Sequence, residues 1–159
     1  MAITPLLFSA LLIGLDQLFK FWAVQSLAPV GSVPVIPHLL DFTYVENYGA
    51  AFGILQEKRF LLVALTGAIL AGVIYLLLTQ RIKGKFLVFS TALILAGGVG
   101  NLIDRIFRGF VVDYLDVSPL FSFPVFNFAD CCVVIGTCIL VLYILFLEER
   151  EKKNAPKEE

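Results

Sequence analysis

Charge is scarce in this chain of 159 residues: only 16% of its residues are Asp, Glu, Lys or Arg, against about 25% in a typical soluble domain. The formal net charge is −1, and a balance this close to zero gives no indication of nucleic-acid binding. By contrast, 59% of the residues are hydrophobic, and they are grouped in long blocks. This pattern indicates one compact membrane domain.

Residues that bind metals or form disulfides are also few. The single histidine is His38, and the three cysteines, Cys131, Cys132 and Cys138, fall in one apolar run. A disulfide framework needs an even set of cysteines in loops, and a zinc site needs cysteine and histidine at defined spacings. We therefore interpret the thiols as small buried hydrophobic side chains and expect neither a metal nor another cofactor.

Four segments are apolar enough to cross a membrane. They are residues 3–24, 60–79, 86–103 and 126–147. At about 1.5 Å per helical residue, each can cross about 30 Å of hydrocarbon. The first is the weakest, because Asp16 and Lys20 interrupt a short apolar run that could also belong to a signal peptide. Since no basic region precedes it and no small-x-small cleavage site follows closely, we expect it to remain as a span.

The basic residues predict the orientation. Lysine and arginine are concentrated in the short connection 80–85 and in the tail 148–159, and such clusters favour the cytoplasmic side. Both termini are then inside, and the loops 25–59 and 104–125 are outside. The predicted fold is an all-α polytopic membrane protein, in which residues 1–147 form one four-helix domain and the tail is cytoplasmic.

The two outer loops have a pattern typical of strands. Alternating side chains and two prolines in Ser32–Phe52 predict a short strand pair, and Asn47-Tyr48-Gly49 predicts a turn. Phe110–Val117 is also predicted to be extended. A small β-rich cradle on the membrane surface would follow, although the composition of the first loop fits a simple connector equally well.

Aspartates at the ends of these spans are the candidate functional groups. A carboxylate at the centre of a transmembrane helix costs about 2.5–3.5 kcal/mol, so an acid at depth suggests a function. Asp113 lies in the second extended segment, and Asp130 lies three residues after Asn127, at the start of the last span. The alternative for Asp130 is purely structural, because Asn127 and Asp130 also have the spacing of a helix capping box.

Two carboxyl groups that meet in a dry site share a proton, because both cannot ionise easily. The ionised group can then deprotonate a water molecule that attacks a carbonyl, while the protonated group hydrogen-bonds the carbonyl oxygen. A serine–histidine pair would have to use His38, and a serine–lysine pair would need Lys20, which already has Asp16 four residues away. The two-aspartate scheme is therefore preferred.

Polar groups at the end of the third span are candidates for support. Asn101 and Asp104 share a helical face at i,i+3. Asp104 and Arg105 could be an interfacial charge pair with Arg105 reaching outward, or could orient the two acids. The glycines of residues 97–100 are more simply explained by close helix packing than by substrate contact.

Five stretches resemble, in order, the motifs of the lipoprotein signal peptidase (signal peptidase II) family of bacterial membrane aspartic peptidases. They are Asp16-Gln17 with Lys20, residues 45–53 (VENYGAAFG), residues 97–105 (GGVGNLIDR), residues 109–114 (GFVVDY) and residues 126–130 (FNFAD). Each motif is short, but together they extend from the first span to the fourth.

The resemblance implies that Asp113 and Asp130 are the catalytic pair. It also implies that the following residues shape or support the site: Asp16, Lys20, Asn47, Gly49, Asn101, Asp104, Arg105, Asn127 and Ala129. The implied reaction removes the signal peptide of a diacylglyceryl-modified prolipoprotein, just before the lipid-bearing cysteine. The implied location is the outer face of the bacterial inner membrane, where membrane lipid surrounds the enzyme; a monomer is expected.

Two other functions compete with this one. A small dimeric proton-coupled transporter would also use intramembrane acids, but it would place an acid near the bilayer midplane and favour internal repeats, which the sequence does not display. A non-catalytic membrane scaffold would have little reason to keep paired acids at depth.

Overall fold

The computed structural model describes residues 3–49 and 58–147. Its elements are α1 (Ile3–Trp22), β1 (Ser32–Ile36), β2 (Leu40–Asn47), α2 (Arg59–Leu78), α3 (Lys85–Phe107), β3 (Val111–Asp116) and α4 (Phe128–Leu142). α1 and α4 each continue into a single π-helical turn, Ala23–Leu27 and Tyr143–Leu147 respectively. The predicted tail and Ala50–Phe52 of the first outer loop lie outside the described residues.

Four helices in the described part of the chain are long and apolar enough to cross a membrane. They comprise Ile3–Leu27, Arg59–Leu78, Lys85–Phe107 and Phe128–Phe146. Much of their apolar surface faces outward; Leu7 is 65% exposed and Phe60 is 86% exposed. Because lipid solvates such side chains, this surface needs no protein partner. The predicted fold class, four membrane helices with a small external β element, is confirmed.

Helix α3 is the centre of the bundle, since it packs against each of the other three helices. Glycines make the closest approaches possible. A Cβ added at Gly100 would lie 2.5 Å from Oδ2 of Asp16, and one at Gly136 would lie 2.8 Å from the Ser90 carbonyl oxygen. A Cβ added at Gly97 would overlap the Ala129 carbonyl oxygen. Helix packing is thus a sufficient explanation for Gly97.

The three strands form one antiparallel sheet in the order β1-β2-β3. The predicted strand pair in the first outer loop and the predicted extended segment are both present, and the sheet joins them. Its inner side packs on the π-helical turn after α1, where Ala23, Leu27, Val112 and Tyr114 form a buried cluster. This packing fixes β3 next to the ends of α1 and α3.

The thiols differ in their environments. Cys132 is buried, Cys131 is half-buried and Cys138 is exposed on α4, and all three are free. The prediction of three buried thiols is therefore correct for Cys132 only. A thiol is weakly polar, so lipid can solvate Cys138 without a hydrogen-bond partner.

The glycine contacts give a first test of the packing. Gly97→Ala should destabilise the protein by about 1–3 kcal/mol, because the new methyl group meets backbone and side-chain atoms of α4. Gly72→Ala on α2 is the matched control, since a Cβ there has no atom within 4 Å. Thermal unfolding in detergent measures both variants. A Gly97→Ala protein as stable as the Gly72→Ala protein would contradict the close α3–α4 contact.

Candidate active site

The structure brings together the two acids that lie far apart in the sequence. Asp113 is in the middle of β3 and is only 2% exposed, while Asp130 is half-buried in the first turn of α4. One side chain contacts both residues. Nδ2 of Asn127 donates to Oδ1 of Asp113 at 2.6 Å, and Oδ1 of Asn127 accepts the Asp130 backbone N–H at 2.9 Å. Asn127 thus sets the position of α4 relative to β3.

The start of α4 has the predicted capping box. The Asn127 side chain accepts the Asp130 N–H, and Oδ2 of Asp130 accepts the Asn127 N–H at 3.1 Å. This arrangement satisfies two backbone donors of the first turn and places a carboxylate at the positive end of the helix dipole. The structural and functional explanations of Asp130 are therefore compatible, because capping occupies Oδ2 while Oδ1 faces α3.

Two further amides donate to the carboxyl oxygens. Nδ2 of Asn47, at the end of β2, donates to Oδ2 of Asp113 at 3.0 Å. Nδ2 of Asn101, on α3, donates to Oδ1 of Asp130 at 2.8 Å. Each carboxyl group therefore has a donor at both of its oxygens, and these donors come from three different segments of the chain.

Burial raises the pKa of Asp113 to about 7, and the negative charge of Asp130 adds to this rise. The amides of Asn47 and Asn127 and the ammonium of Lys20 act in the opposite direction. At neutral pH the Asp113 carboxyl group is consequently protonated in a large fraction of the molecules. This is the asymmetry that two acids with different roles require.

A cluster of charges, buried except for Arg108, lies on the inner side of the site. Lys20 is 0% exposed and forms ion pairs with Oδ2 of Asp16 at 2.9 Å and with Oδ2 of Asp104 at 3.1 Å. Arg108 forms a second ion pair with Asp104. The two cations and two carboxylates make the cluster electrically neutral, so no buried charge is left without an opposite charge. The predicted pair of Asp16 and Lys20 is present within α1, and the ion pair of Lys20 with Asp104 joins α1 to α3.

These charges also hold the segments that contain the catalytic candidates. Oδ1 of Asp16 accepts the backbone N–H of Ala129 at 3.0 Å, next to Asp130. Oδ2 of Asp104 accepts the backbone N–H of Val112 at 3.1 Å, next to Asp113. Ala129 itself is 0% exposed and faces Gly100. A side chain at residue 100 would not fit between Ala129 and Asp16. Asp16 and Asp104 therefore position α4 and β3 respectively.

Arg105 does not pair with Asp104. Its NH2 donates to the carbonyl oxygen of Gly49 at 2.7 Å, and its Nε is the buried side-chain atom that lacks a hydrogen-bond partner within the described ranges. Gly49 is buried, and its N–H donates to Oδ1 of Asn47 at 3.0 Å, which confirms the predicted turn. The simple Asp104–Arg105 charge pair is therefore wrong, because consecutive helical residues point in different directions.

Three polar residues near the site had no role in the sequence-based prediction. Arg108 pairs with Asp104, and the i,i+4 spacing of these two residues could have revealed it. Nε2 of Gln17 lies 3.2 Å from both Asp16 Oδ2 and the Gly100 carbonyl oxygen. Arg59 donates to the carbonyl oxygens of residues 105 and 106, and so caps the C-terminal end of α3 from α2. No local pattern indicated these last contacts.

An apolar groove of about 490 Å³ lies between the end of α1, the sheet and the start of α4. Its lining consists of Phe19, Trp22, Phe42, Tyr114, Leu115 and Phe128. The Tyr114 hydroxyl lies 3.3 Å from the Phe128 backbone nitrogen, whose N–H it accepts. Two residues of its lining, Tyr114 and Phe128, are the chain neighbours of Asp113 and Asn127.

Comparisons with known proteins agree on one family. The family model described as Signal peptidase (SPase) II matches residues 8–146. A Clostridioides difficile (strain 630) protein named lipoprotein signal peptidase is 44% identical over 144 residues, or 89% of this chain and 95% of that protein. A Clostridium acetobutylicum protein with the same name is 39% identical over 138 residues, covering 86% and 90%.

A solved structure also resembles this chain along its whole length. It is described as a bacterial membrane enzyme structure determined by the in meso method at 2.3 Å resolution. The TM-score is 0.81 at 32% identity, with 98% of this chain and 93% of the other covered. The similarity therefore includes the helices, the sheet and the segments that hold the two acids.

Stability measurements should distinguish Asp113, which has amide donors, from Asp104, which forms ion pairs with Lys20 and Arg108. Asp113 has a raised pKa, so its folded state binds a proton more tightly than its unfolded state, and stability falls as pH rises from about 4 to about 7. Asp113→Asn removes this effect and should stabilise the fold at pH 8 by between zero and about 4 kcal/mol. Asp104→Asn breaks a buried ion-pair cluster and should destabilise it by about 3–5 kcal/mol.

Thermal unfolding of both variants and the unmodified protein in detergent, at pH 5 and pH 8, measures this contrast. The difference in stability between Asp113→Asn and the unmodified protein should be smaller at pH 5. At that pH the Asp113 carboxyl group of the folded protein is largely protonated, so no charge is buried. An Asp113→Asn protein less stable at pH 8 than the Asp104→Asn protein would contradict the distinction.

Proposed function

The chain belongs to the signal peptidase II family, and we propose that it cleaves diacylglyceryl-modified prolipoproteins just before the lipid-bearing cysteine, with Asp113 and Asp130 as its catalytic pair. The observation that carries this proposal is the double contact of Asn127, which binds the Asp113 carboxyl group and the Asp130 backbone and side chain. Two acids from separate segments are thereby held at one place near the end of a membrane-embedded bundle.

The different surroundings of the two acids support separate roles. Asp130, at the positive end of the α4 dipole and hydrogen-bonded to Asn101, is the ionised base that takes a proton from water. Asp113, with its pKa raised to about 7, is the protonated acid that donates to the scissile carbonyl oxygen. The water oxygen bonds to the carbonyl carbon, which becomes tetrahedral.

Collapse of this intermediate completes the reaction. The proton held by Asp130 passes to the amide nitrogen, the carbon–nitrogen bond breaks, and Asp113 recovers its proton as the new carboxyl group forms. The products are the signal peptide with a free carboxylate and the lipoprotein with the amine of its modified cysteine as the new N-terminus. One water is consumed, and both acids return to their initial states.

The positions of the helix ends support the proposed orientation. The connection with Arg81 and Lys83 precedes α3, whereas Asn101, Asp104 and the two acids lie at the other end of that helix. If the basic connection and both termini are cytoplasmic, the acids face the outer side. The lipid tails of the substrate lie between the helices there. The two proposed catalytic acids lie on β3 and at the start of α4 rather than at the midplane, which gives the transporter hypothesis no support. We expect a monomer.

Loss of either acid should abolish cleavage without loss of the fold. Asp113→Asn and Asp130→Asn should each reduce kcat by at least about 10³-fold, because an amide can neither accept a proton from water nor replace the acid. Asp116→Asn, three residues further along β3, is the matched control and should remain active. Its carboxylate accepts from Thr43 and the Ser118 N–H, outside the site.

The measurement is the mobility shift of a purified lipidated prolipoprotein after incubation with each purified variant. Circular dichroism verifies that the variants are helical. Normal processing by either folded Asn variant at residues 113 or 130 would exclude the two-aspartate mechanism.

The proposed roles also predict the pH dependence. Activity requires a protonated Asp113, so kcat/KM, which reports the free enzyme, should fall about tenfold for each pH unit above the pKa of about 7. Initial rates between pH 5.5 and 9, at substrate concentrations well below KM, measure this limb. A rate that continues to rise beyond pH 8 would contradict the assignment of Asp113 as the acid.

A further inference from the structure

The side-chain amide of Asn101 stands between a buried cation and a carboxylate. Its Oδ1 lies 2.8 Å from Nζ of Lys20, and its Nδ2 lies 2.8 Å from Oδ1 of Asp130. The oxygen and nitrogen of an amide are almost alike in size, so only hydrogen-bond partners determine which way the group is turned. An ammonium can donate but cannot accept. The oxygen of Asn101 must therefore face Lys20, and its N–H donors must face Asp130.

Lys20 is held too firmly to release this contact. It is 0% exposed, and its three N–H bonds have three acceptors, which are Asp16 Oδ2 at 2.9 Å, Asp104 Oδ2 at 3.1 Å and Asn101 Oδ1. A rotation of the ammonium that released Asn101 would leave one of its buried N–H donors unsatisfied. The Nδ2 of Asn127 also lies near Asn101 Oδ1, but at 3.2 Å and without a charge. Lys20 is thus the stronger constraint on the amide.

The opposite orientation of Asn101 would be harmful to the site. Its oxygen would then face the Asp130 carboxylate, and two acceptors without a proton between them repel each other. Asp130 would lose its donor on the side that faces α3 and would turn away. Because a misplacement of about 1 Å can reduce a rate about 100-fold, the consequence for catalysis is large.

We propose that Lys20 is a positioning residue for the reaction: by fixing the amide orientation of Asn101, it directs an N–H donor at Asp130 and holds that carboxylate where it can deprotonate water. The inference rests on the proposed function above and adds a role for a residue that is buried away from any substrate. Lys20 acts on Asp130 through Asn101 and has no contact with substrate, so its loss should change kcat and leave KM unchanged.

The test must remove the ammonium without leaving an unpaired buried charge. Lys20→Met alone would strand Asp16, so the variant is the double replacement K20M/D16N, which removes one charge of each sign and leaves the Asp104–Arg108 ion pair in place. Ser9→Ala is the matched control. Ser9 is buried on α1, and its Oγ donates to the Ala92 carbonyl oxygen on α3 at 2.8 Å, far from Asn101 along both helices.

The measured quantities are kcat and KM for a lipidated prolipoprotein, determined with the purified full-length enzyme in nanodiscs. K20M/D16N should have a kcat about 100-fold lower and an unchanged KM, whereas Ser9→Ala should retain the kcat of the unmodified enzyme. A merely structural role of Lys20 would instead lower the folded fraction and the melting temperature, with the same kcat per folded molecule.

The pH profile gives a second readout. Asp113 is faced by Asp130 from α4, Arg105 from α3 and Lys20 from α1. The positive charge of Lys20 lowers the pKa of Asp113. Without that charge, the basic limb of kcat/KM in K20M/D16N should move to higher pH. A limb at the same pH as in the unmodified enzyme, together with a kcat within threefold of it, would overturn the inference.

A second variant covers the case in which the double replacement does not fold. In Asn101→Asp, Lys20 still has an acceptor, but no N–H faces Asp130 at neutral pH. This variant should fold, bind substrate with the same KM and be about 100-fold slower; full activity would overturn the inference. If the unmodified enzyme and Ser9→Ala also fail to cleave, the proposed function itself is wrong.

Discussion

A lysine ammonium without access to water is the constraint on which this structure depends. Lys20 is 0% exposed inside a bundle that is otherwise mostly apolar, and an uncompensated charge there would be strongly destabilising. Full compensation needs acceptors from α1 and α3 at the same point, and Asp16, Asp104 and Asn101 provide them. This requirement fixes the rotation of α1 and α3 about their axes and their relative position along those axes. Apolar contacts in lipid would fix both far less narrowly.

The same cluster connects the fold to the chemistry. Asp16 accepts a backbone N–H next to Asp130 with Oδ1, and Asp104 accepts one next to Asp113 with Oδ2, so α4 and β3 are positioned by the charges that hold α1 to α3. The acids in the membrane domain therefore fall into two classes. Asp16 and Asp104 each have a cationic partner and stabilise the fold. Asp113 and Asp130 receive neutral amide donors, and within the described ranges neither forms an ion pair, which suits the catalytic roles proposed for them.

Much of the fold could be predicted from the sequence, because its features are local. Uninterrupted apolar runs identify the helices, alternation identifies the strands, and the Asn127–Asp130 spacing identifies the cap of α4. The position of Asp113 and Asp130 at one end of the bundle followed from counting spans. The helical period could also have identified Arg108 as the partner of Asp104, since residues four apart share a face.

The contacts between helices could not be read in this way. Nothing in the spacing of the sequence relates Lys20 to Asn101 or Arg59 to the end of α3, because these pairs depend on how separate helices rotate against each other. The exposed position of Cys138 has the same cause. In an apolar helix, the face that meets lipid and the face that meets protein have similar compositions, so hydrophobicity alone does not distinguish them.

The double contact of Asn127 has a consequence for biosynthesis. The chain emerges from the ribosome with Asp113 before Asn127 and Asp130, so the first three helices and the sheet precede the segment that supplies the second acid. A nascent protein that has not inserted its last helix has Asp113 in place but lacks both Asp130 and the contacts of Asn127 that connect the two acids. Under the proposed two-aspartate mechanism, proteolytic activity therefore begins only when the last helix has been inserted.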